Sequence, residues 1–269
     1  MSGFHDDVAV VTGGTRGIGR AVAERLADGG ATVVATYHDD EEAAERTRER
    51  LGAYRAETRV ERCDVTDFDA VGATFETVAD RHGPPTVLVN NAGTMDNGLL
   101  VRMTPDQWDR VIETNLTGTF FCCQAAGERM IETDADCQII NMSSIYGSGG
   151  VQGRAPYNAS KAGIENLTRN AAVELAEDGV QVNALAPGYI KTRMAEAPWG
   201  ESIEDHPEWP YYGYAEEHIE NRTSLGRFGT HEELENCATF LAAGEHYMNG
   251  EILTLDGGWL SFGWGSKGR

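Results

Sequence analysis

The sequence predicts an α/β fold, a single doubly wound parallel sheet with helices on both faces. Three observations predict it: short apolar runs alternate with helix-length amphipathic segments, a glycine cluster follows the first run, and no Pro/Ser-rich linker divides the 269 residues. Repeated β-α units at this spacing require parallel strands joined by crossover helices, because a tight turn cannot connect them.

The elements follow in order. VAVVT at residues 8–12 reads as the first strand, and a helix follows over residues 19–29. ATVVATY is the second strand, succeeded by a charged helix over residues 39–51. RVERCDV, a helix over 69–82 and TVLVNNAG come next. In TPDQWDRVIETNLTGTFFCCQAAGERM, Thr104 supplies an N-cap and Pro105 a first-turn residue, so a long helix is expected. QIINMSS, a helix carrying Tyr157, VQVNALAPG, an irregular acidic-aromatic stretch, a helix over 230–243 and EILTLDGG complete the chain. One domain over residues 1–269 accommodates them all.

Composition limits what such a protein does. There are 43 acidic and 22 basic residues, for a net charge of −21, and only Lys161, Lys191 and Lys267 are lysines. A surface so acidic repels itself and needs counterions, which points to a salt-rich, halophilic setting where the screening length falls to about 3 Å. Nucleic acid and anionic membranes are poor partners for it. The cysteines (Cys63, Cys122, Cys123, Cys137, Cys237) are scattered and odd in number, so neither disulfides nor a metal site are expected, and a reducing cytoplasm fits. No apolar stretch is long enough to span a bilayer, and the first strand begins too early for a signal peptide.

The first chemical motif is TGGTRGIGR, with Gly13, Gly17 and Gly19 at the turn from strand to helix. Glycines let the backbone bend tightly and approach a pyrophosphate at the helix N-terminus. The spacing G-x-x-x-G-x-G is not the commoner fingerprint, and a plain strand-to-helix turn also uses glycine; the strand before it favours a cofactor. At the end of the second strand stand Tyr37 and His38 rather than the carboxylate that selects NAD, while Arg16 offers a fixed cation to a 2′-phosphate. NADP(H) is therefore favoured over NAD(H). Asp39 and Asp40 follow directly, and if Arg16 merely pairs with them NAD(H) stays open.

TGGTRGIG, CDVTD, NNAG, ETNLTGTF, INMSS, YNASK, NALAPGYIKT and GEILTLDGG occur in the order found in the short-chain dehydrogenase/reductase family, and the chain resembles its 3-oxoacyl-carrier-protein reductase branch over nearly its whole length. The resemblance implies a Rossmann-type sheet and cofactor contacts at Gly13, Thr15, Arg16, Gly17, Ile18, Gly19, His38, Asp64, Val65, Asn91, Ala92, Gly93, Tyr157, Lys161, Pro187, Gly188, Ile190 and Thr192. It implies a catalytic set of Asn115, Ser144, Tyr157 and Lys161, and a homotetramer or homodimer.

Those residue types suit hydride chemistry. Moving a hydride between nicotinamide and a carbonyl leaves the substrate oxygen needing a proton. Tyrosine can supply it once its pKa of about 10 is lowered, and Lys161, one helical turn after Tyr157, is placed to do so. Ser144 can donate a hydrogen bond to the oxygen as charge develops, and the resemblance implies that Asn115 holds a water relaying protons to Lys161. Taken one at a time, a strand-end cap, a helix-surface amide and an exposed Tyr-Lys pair are equally good readings; their order after a cofactor turn favours catalysis.

Residues 195–221, with Trp199, Trp209, Tyr211, Tyr212 and Tyr214 among acids, correspond to the family's substrate lid. They suit sugar rings, an acyl thioester or subunit packing. The tail at residues 259–269 carries Trp259, Phe262 and Trp264, which suit a subunit interface. An acidic carrier protein calls for basic residues at the mouth; Arg129 is available, but Glu177 and Asp178 oppose it. The leading expectation is an NADP(H)-dependent oxidoreductase acting on a small-molecule ketone or secondary alcohol, most like a 3-oxoacyl thioester reductase. The alternatives are a sugar or polyol dehydrogenase and a non-catalytic dinucleotide-binding protein. A methyltransferase would share the glycine turn but has no use for Tyr157 and Lys161.

Overall fold

Seven strands run parallel in one sheet, and the order in which they lie explains where a ligand fits. In the computed structural model, which describes residues 3–191 and 216–261, these are β1 (Val8–Val11), β2 (Thr32–Tyr37), β3 (Thr58–Arg62), β4 (Val87–Asn90), β5 (Cys137–Met142), β6 (Val180–Pro187) and β7 (Ile252–Leu255). Across the sheet the order is β3-β2-β1-β4-β5-β6-β7. The chain builds outward from β1 to β3, then returns to the other side of β1 to lay down β4. The carboxyl ends of β1 and β4 therefore diverge into helices on opposite faces and open a crevice.

Alternation along each strand sorts side chains between two cores. Ala9, Val11, Val33 and Ala35 pack on one face with Leu26, Leu51, Leu234 and Leu241. Val8, Val10 and Val34 face the other way, against Phe75, Val78, Cys122 and Met130. The helices that supply those residues are α1 (Gly17–Asp28), α2 (Glu41–Leu51) and α8 (His231–Ala242) on the first face, and α3 (Phe68–His82) and α5 (Gly118–Met130) on the second, where α6 (Ala155–Glu174) also packs. Short α4 (Pro105–Ile112) precedes α5, and α7 (Glu216–Arg222) precedes α8.

The local signals act as expected. Thr104 caps α4 in a reciprocal capping box with Gln107, with Pro105 in the first turn. Thr230 and Glu233 form a second box at the start of α8. The expected long helix after Thr104 is interrupted: a wider π-helical turn, Glu113–Thr117, separates α4 from α5. Thr192, most of the 195–221 segment and residues 262–269 lie outside the described residues.

Candidate active site

The glycine turn is held to the neighbouring strand before any ligand is considered. The Thr12 hydroxyl, at the end of β1, accepts from the amides of Asn91 and Ala92, both at 3.0 Å. The Asn91 side chain returns the contact, its Nδ2 donating to the carbonyls of Thr12 (3.0 Å) and Gly13 (3.1 Å). Asn91, expected as a cofactor contact, thus uses its side chain to shape the turn. Gly13 and Gly17 have φ of 60° and 51°, the left-handed region. A Cβ at Gly13 would stand 3.0 Å from the Ala92 Cα, whereas one at Gly17 would meet nothing within 4 Å. The backbone at Gly17 therefore borders open space at the start of α1.

That helix start suits an anion. Arg16 occupies the N-cap with extended backbone and makes no capping hydrogen bond through its side chain, so the first-turn amides have no side-chain partner. Thr15 is buried, its carbonyl accepting from the Thr47 hydroxyl at 2.9 Å, and Ile18 packs against the core. The residues present fit a dinucleotide pyrophosphate over Gly13–Gly19.

At the end of β2, Tyr37 is buried and donates to Glu41 at 2.6 Å, while His38 is exposed. His38 Nε2 lies 3.3 Å from Asp64 Oδ2. Burial pushes the Asp64 carboxyl up, but two hydrogen bonds from Thr66 and the nearby His38 outweigh it and hold the carboxyl below its ordinary value. Val65 is buried against Gly118, where a Cβ would come within 2.8 Å of its Cγ2. Asp40 is committed to α2 as its N-cap, accepting from Ala43 at 2.9 Å. Among the described residues no carboxylate lies within ion-pair distance of exposed Arg16.

The four residues named for catalysis converge beyond the crevice. Ser144 follows β5 and is 6% exposed; its hydroxyl accepts from the Tyr146 amide at 3.3 Å, capping a 3₁₀ turn (Ile145–Gly147), and it lies near enough to Tyr157 to pull that hydroxyl's pKa down. The strand-end cap and the serine expected at the active site are one group. Lys161 is 5% exposed, so an exposed Tyr-Lys pair is excluded. Its Nζ donates to the Met142 carbonyl at 2.6 Å and sits 5.6 Å from the Tyr157 ring centroid. Asn115 is fully buried inside the π-turn rather than on a helix surface. Its amide clasps the Thr94 backbone, accepting from the N–H at 2.7 Å and donating to the carbonyl at 2.9 Å, and also donates to Ser160 at 3.1 Å.

One expectation changes. Tyr157 is not depressed in the protein by itself: burial pushes its hydroxyl above 10, against the pull of the Ser144 hydrogen bond and the Arg154 charge. Burial also lowers Lys161, to about 8, and its ammonium is directed to Met142 rather than to the phenol.

The remaining expected contacts line the crevice rim. Gly93 approaches Asn115, where a Cβ would stand 3.3 Å from Oδ1. Pro187 ends β6, the Gly188 amide bonds Leu255 at 2.8 Å, and Ile190 is buried and bridged to Gly229. Residues not foreseen are Thr12, Thr94, Tyr146, Arg154 and Tyr189. The Tyr146 and Tyr189 hydroxyls are hydrogen-bonded, the Tyr189 ring packs tilted against Trp259 with centroids 4.7 Å apart, and the Arg154 guanidinium lies 5.6 Å from the Tyr146 ring centre. Only Thr12, directly before the glycines, had a sequence signal.

A nucleotide-dependent oxidoreductase is the class of protein in which such a turn faces such a cluster across a parallel sheet. Known proteins narrow the class. Residues 13–260 match the family model described as Enoyl-(Acyl carrier protein) reductase, and the chain belongs to the short-chain dehydrogenase/reductase family. It is 38% identical over 251 residues to the 3-oxoacyl-[acyl-carrier-protein] reductase FabG of Staphylococcus aureus strain Mu50, covering 93% of this chain and 96% of that one. With the 3-oxoacyl-[acyl-carrier-protein] reductase of a Synechocystis species it shares 36% identity over 264 residues, 97% of this chain and 100% of the relative. A crystal structure of a candidate gluconate dehydrogenase from Agrobacterium tumefaciens superposes with a TM-score of 0.86 at 34% identity, covering 96% and 98% of the two chains. The protein is an oxidoreductase that interconverts a carbonyl and a secondary alcohol with a nicotinamide dinucleotide.

Proposed function

We propose that the protein is an NADP(H)-dependent reductase of 3-oxoacyl thioesters. The observation that carries the reading is the cluster of buried Ser144 and Lys161 with half-buried Tyr157, set beside the glycine turn in a chain so similar to 3-oxoacyl reductases. When bound, the nicotinamide supplies the hydride. Ser144 and Tyr157 hold the substrate carbonyl oxygen, and Tyr157 delivers the proton as charge develops there. Lys161 lowers the cost of the resulting phenolate and replaces the proton, with Asn115 keeping the relay open beside Ser160. Gly13, Thr15, Gly17, Ile18 and Gly19 hold the pyrophosphate, and Asp64, Val65, Ala92 and Gly93 line the adenosine and nicotinamide sides. Pro187, Gly188 and Ile190 close the nicotinamide end.

The cofactor choice rests on Arg16 and His38. Arg16 is exposed at the cradle, while Asp40 is engaged by its own helix, which supports a 2′-phosphate there. A groove of about 470 Å³ lined by Leu99, Leu100, Val101 and Val151, beside the start of α6, supports an acyl chain. Exposed Phe120 on α5 and Val173 on α6 support a dimer or tetramer. The acidic, lysine-poor composition supports work at high salt, the one continuous sheet supports a single domain, and the free cysteines support a reducing cytoplasm. No helix among the described residues is long and apolar enough to cross a membrane. A sugar or polyol dehydrogenase is the second reading, favoured by the likeness to the gluconate dehydrogenase fold.

The test is initial rates in concentrated KCl, with NADPH and NADH against acetoacetyl-CoA and NADP⁺ and NAD⁺ against sugars and polyols. Fast NADPH oxidation with the thioester supports the reading. Turnover of sugars alone transfers the protein to the carbohydrate dehydrogenases.

A further inference from the structure

Arg154 breaks several local rules at once. It occupies the N-cap of α6, where Ser, Thr, Asp or Asn is preferred, and makes no capping hydrogen bond through its side chain. A cation at this end of a helix opposes the macrodipole. In a chain with 43 acidic residues it also has no carboxylate within 4.0 Å among the described residues, whereas Arg25, Arg46, Arg48, Arg50 and Arg227 each have one.

Among the described residues, the surroundings explain why no carboxylate reaches it. Residues 143–160 contain no acid, and residues 91–103 contain only Asp96, which is bound by Arg110 and by Gln107 at 3.2 Å. Glu165 is engaged by Ser143 at 3.1 Å and by Arg169 at 3.8 Å. Asp256 accepts from the amides of Gly258 and Leu260, both at 2.8 Å. The guanidinium instead lies over the Tyr146 ring at 5.6 Å, where a cation–π contact fixes its direction. Tyr146 donates its amide to Ser144, and the Arg154 charge, three residues before Tyr157 at the start of α6, acts on the Tyr157 hydroxyl, so it borders the place where a carbonyl would meet Ser144 and Tyr157.

We propose that Arg154 is a substrate-binding residue that anchors an anionic group, carboxylate or phosphate, on the molecule whose carbonyl meets Tyr157. The inference rests on the carbonyl-reductase reading of the site and names the substrate class that reading leaves open. A planar guanidinium with five N–H donors and, among the described residues, no hydrogen-bonded protein acceptor recognises a carboxylate or phosphate in two-point fashion, which lysine cannot reproduce as well. A carboxylate would come from an oxo acid or sugar acid, and a phosphate from the pantetheine arm of a thioester.

Matched pairs separate these sources. One pair is acetoacetate with ethyl acetoacetate; the other is acetoacetyl-CoA with its N-acetylcysteamine thioester. The readout is the ratio of kcat/KM for the charged member to that for the neutral one, in native protein, Arg154→Gln and Arg154→Lys. The expected result is a ratio that falls roughly 10- to 100-fold in Arg154→Gln, the range for one hydrogen bond to an ion, and falls less in Arg154→Lys. A fall in the first pair identifies a carboxylate, and a fall in the second a phosphate. Ratios unchanged in Arg154→Gln overturn the anchor while leaving the reductase reading standing. Absence of turnover of every pair by the native protein overturns the reading itself, and the anchor with it.

Discussion

Replacing Lys161 by Met exposes a conflict between stability and function. A lysine held at about 8 in the fold, against 10.5 when free, carries a buried charge at neutral pH that the unfolded chain carries more cheaply. The gap corresponds to about 3 kcal/mol of destabilisation at pH 7, at about 1.4 kcal/mol per pH unit. Because the folded pKa is the lower one, the penalty is largest below pH 8 and fades between 8 and 10.5; at pH 9.5 about 1 kcal/mol remains. Lys161→Met removes this penalty and also the 2.6 Å hydrogen bond to Met142, which offsets about 1 kcal/mol at either pH. The variant is therefore expected to be about 2 kcal/mol more stable than the native protein at pH 7 and nearly equal to it at pH 9.5, while losing turnover. Thermal unfolding followed by circular dichroism at the two pH values, at constant high KCl, measures the difference. A variant less stable at pH 7, or a difference that does not shrink as pH rises, would refute the argument.

Three further outcomes follow from the site. Tyr157→Phe removes the proposed proton donor and is expected to lower kcat by about 10³-fold or more with NADPH affinity within a few-fold of native, while Ser144→Ala is expected to cost about 10²-fold; steady-state rates beside fluorescence titration with NADPH check both. Arg16→Ala is expected to raise KM for NADPH by roughly 10-fold or more and to leave that for NADH nearly unchanged, and equal effects on the two would remove the 2′-phosphate assignment. Burial pushes the Cys123 thiol up to about 12 and Cys137 to about 11, and raises Cys63, Cys122 and Cys237. The native protein at pH 7 should therefore react slowly with a thiol reagent and quickly only when unfolded, and rapid labelling of the native state would contradict that.

Much of this was legible because the signals are local. Alternation of apolar runs with amphipathic stretches found the strands, and Thr104-Pro105 and Thr230 marked helix starts through capping chemistry that depends on neighbours three residues away. Tyr157 and Lys161 share a helix face by spacing alone. What escaped depends on partners distant in sequence. Asn115 lies in a π-turn because its amide is claimed by the Thr94 backbone, 21 residues earlier, and nothing in ETNLT announces that widening. Asn91 turns toward Gly13 through a contact across 78 positions. The depth of Lys161, which reverses its electrostatics, comes from packing under β5 and is invisible in a residue type that is almost always exposed.

The clasp between Thr12 and Asn91 has a kinetic meaning. A glycine-rich turn left to itself samples many backbone states, and a ligand that had to organise it would lose part of its affinity to that ordering. Here four hydrogen bonds to the end of β4 perform the ordering as the chain folds. The dinucleotide meets a cradle already in shape, so its release between turnovers requires only that its own contacts break. The residence time of the spent cofactor should accordingly be governed by how strongly Arg16 and the first turn of α1 grip phosphate, and it should shorten as salt screens that grip.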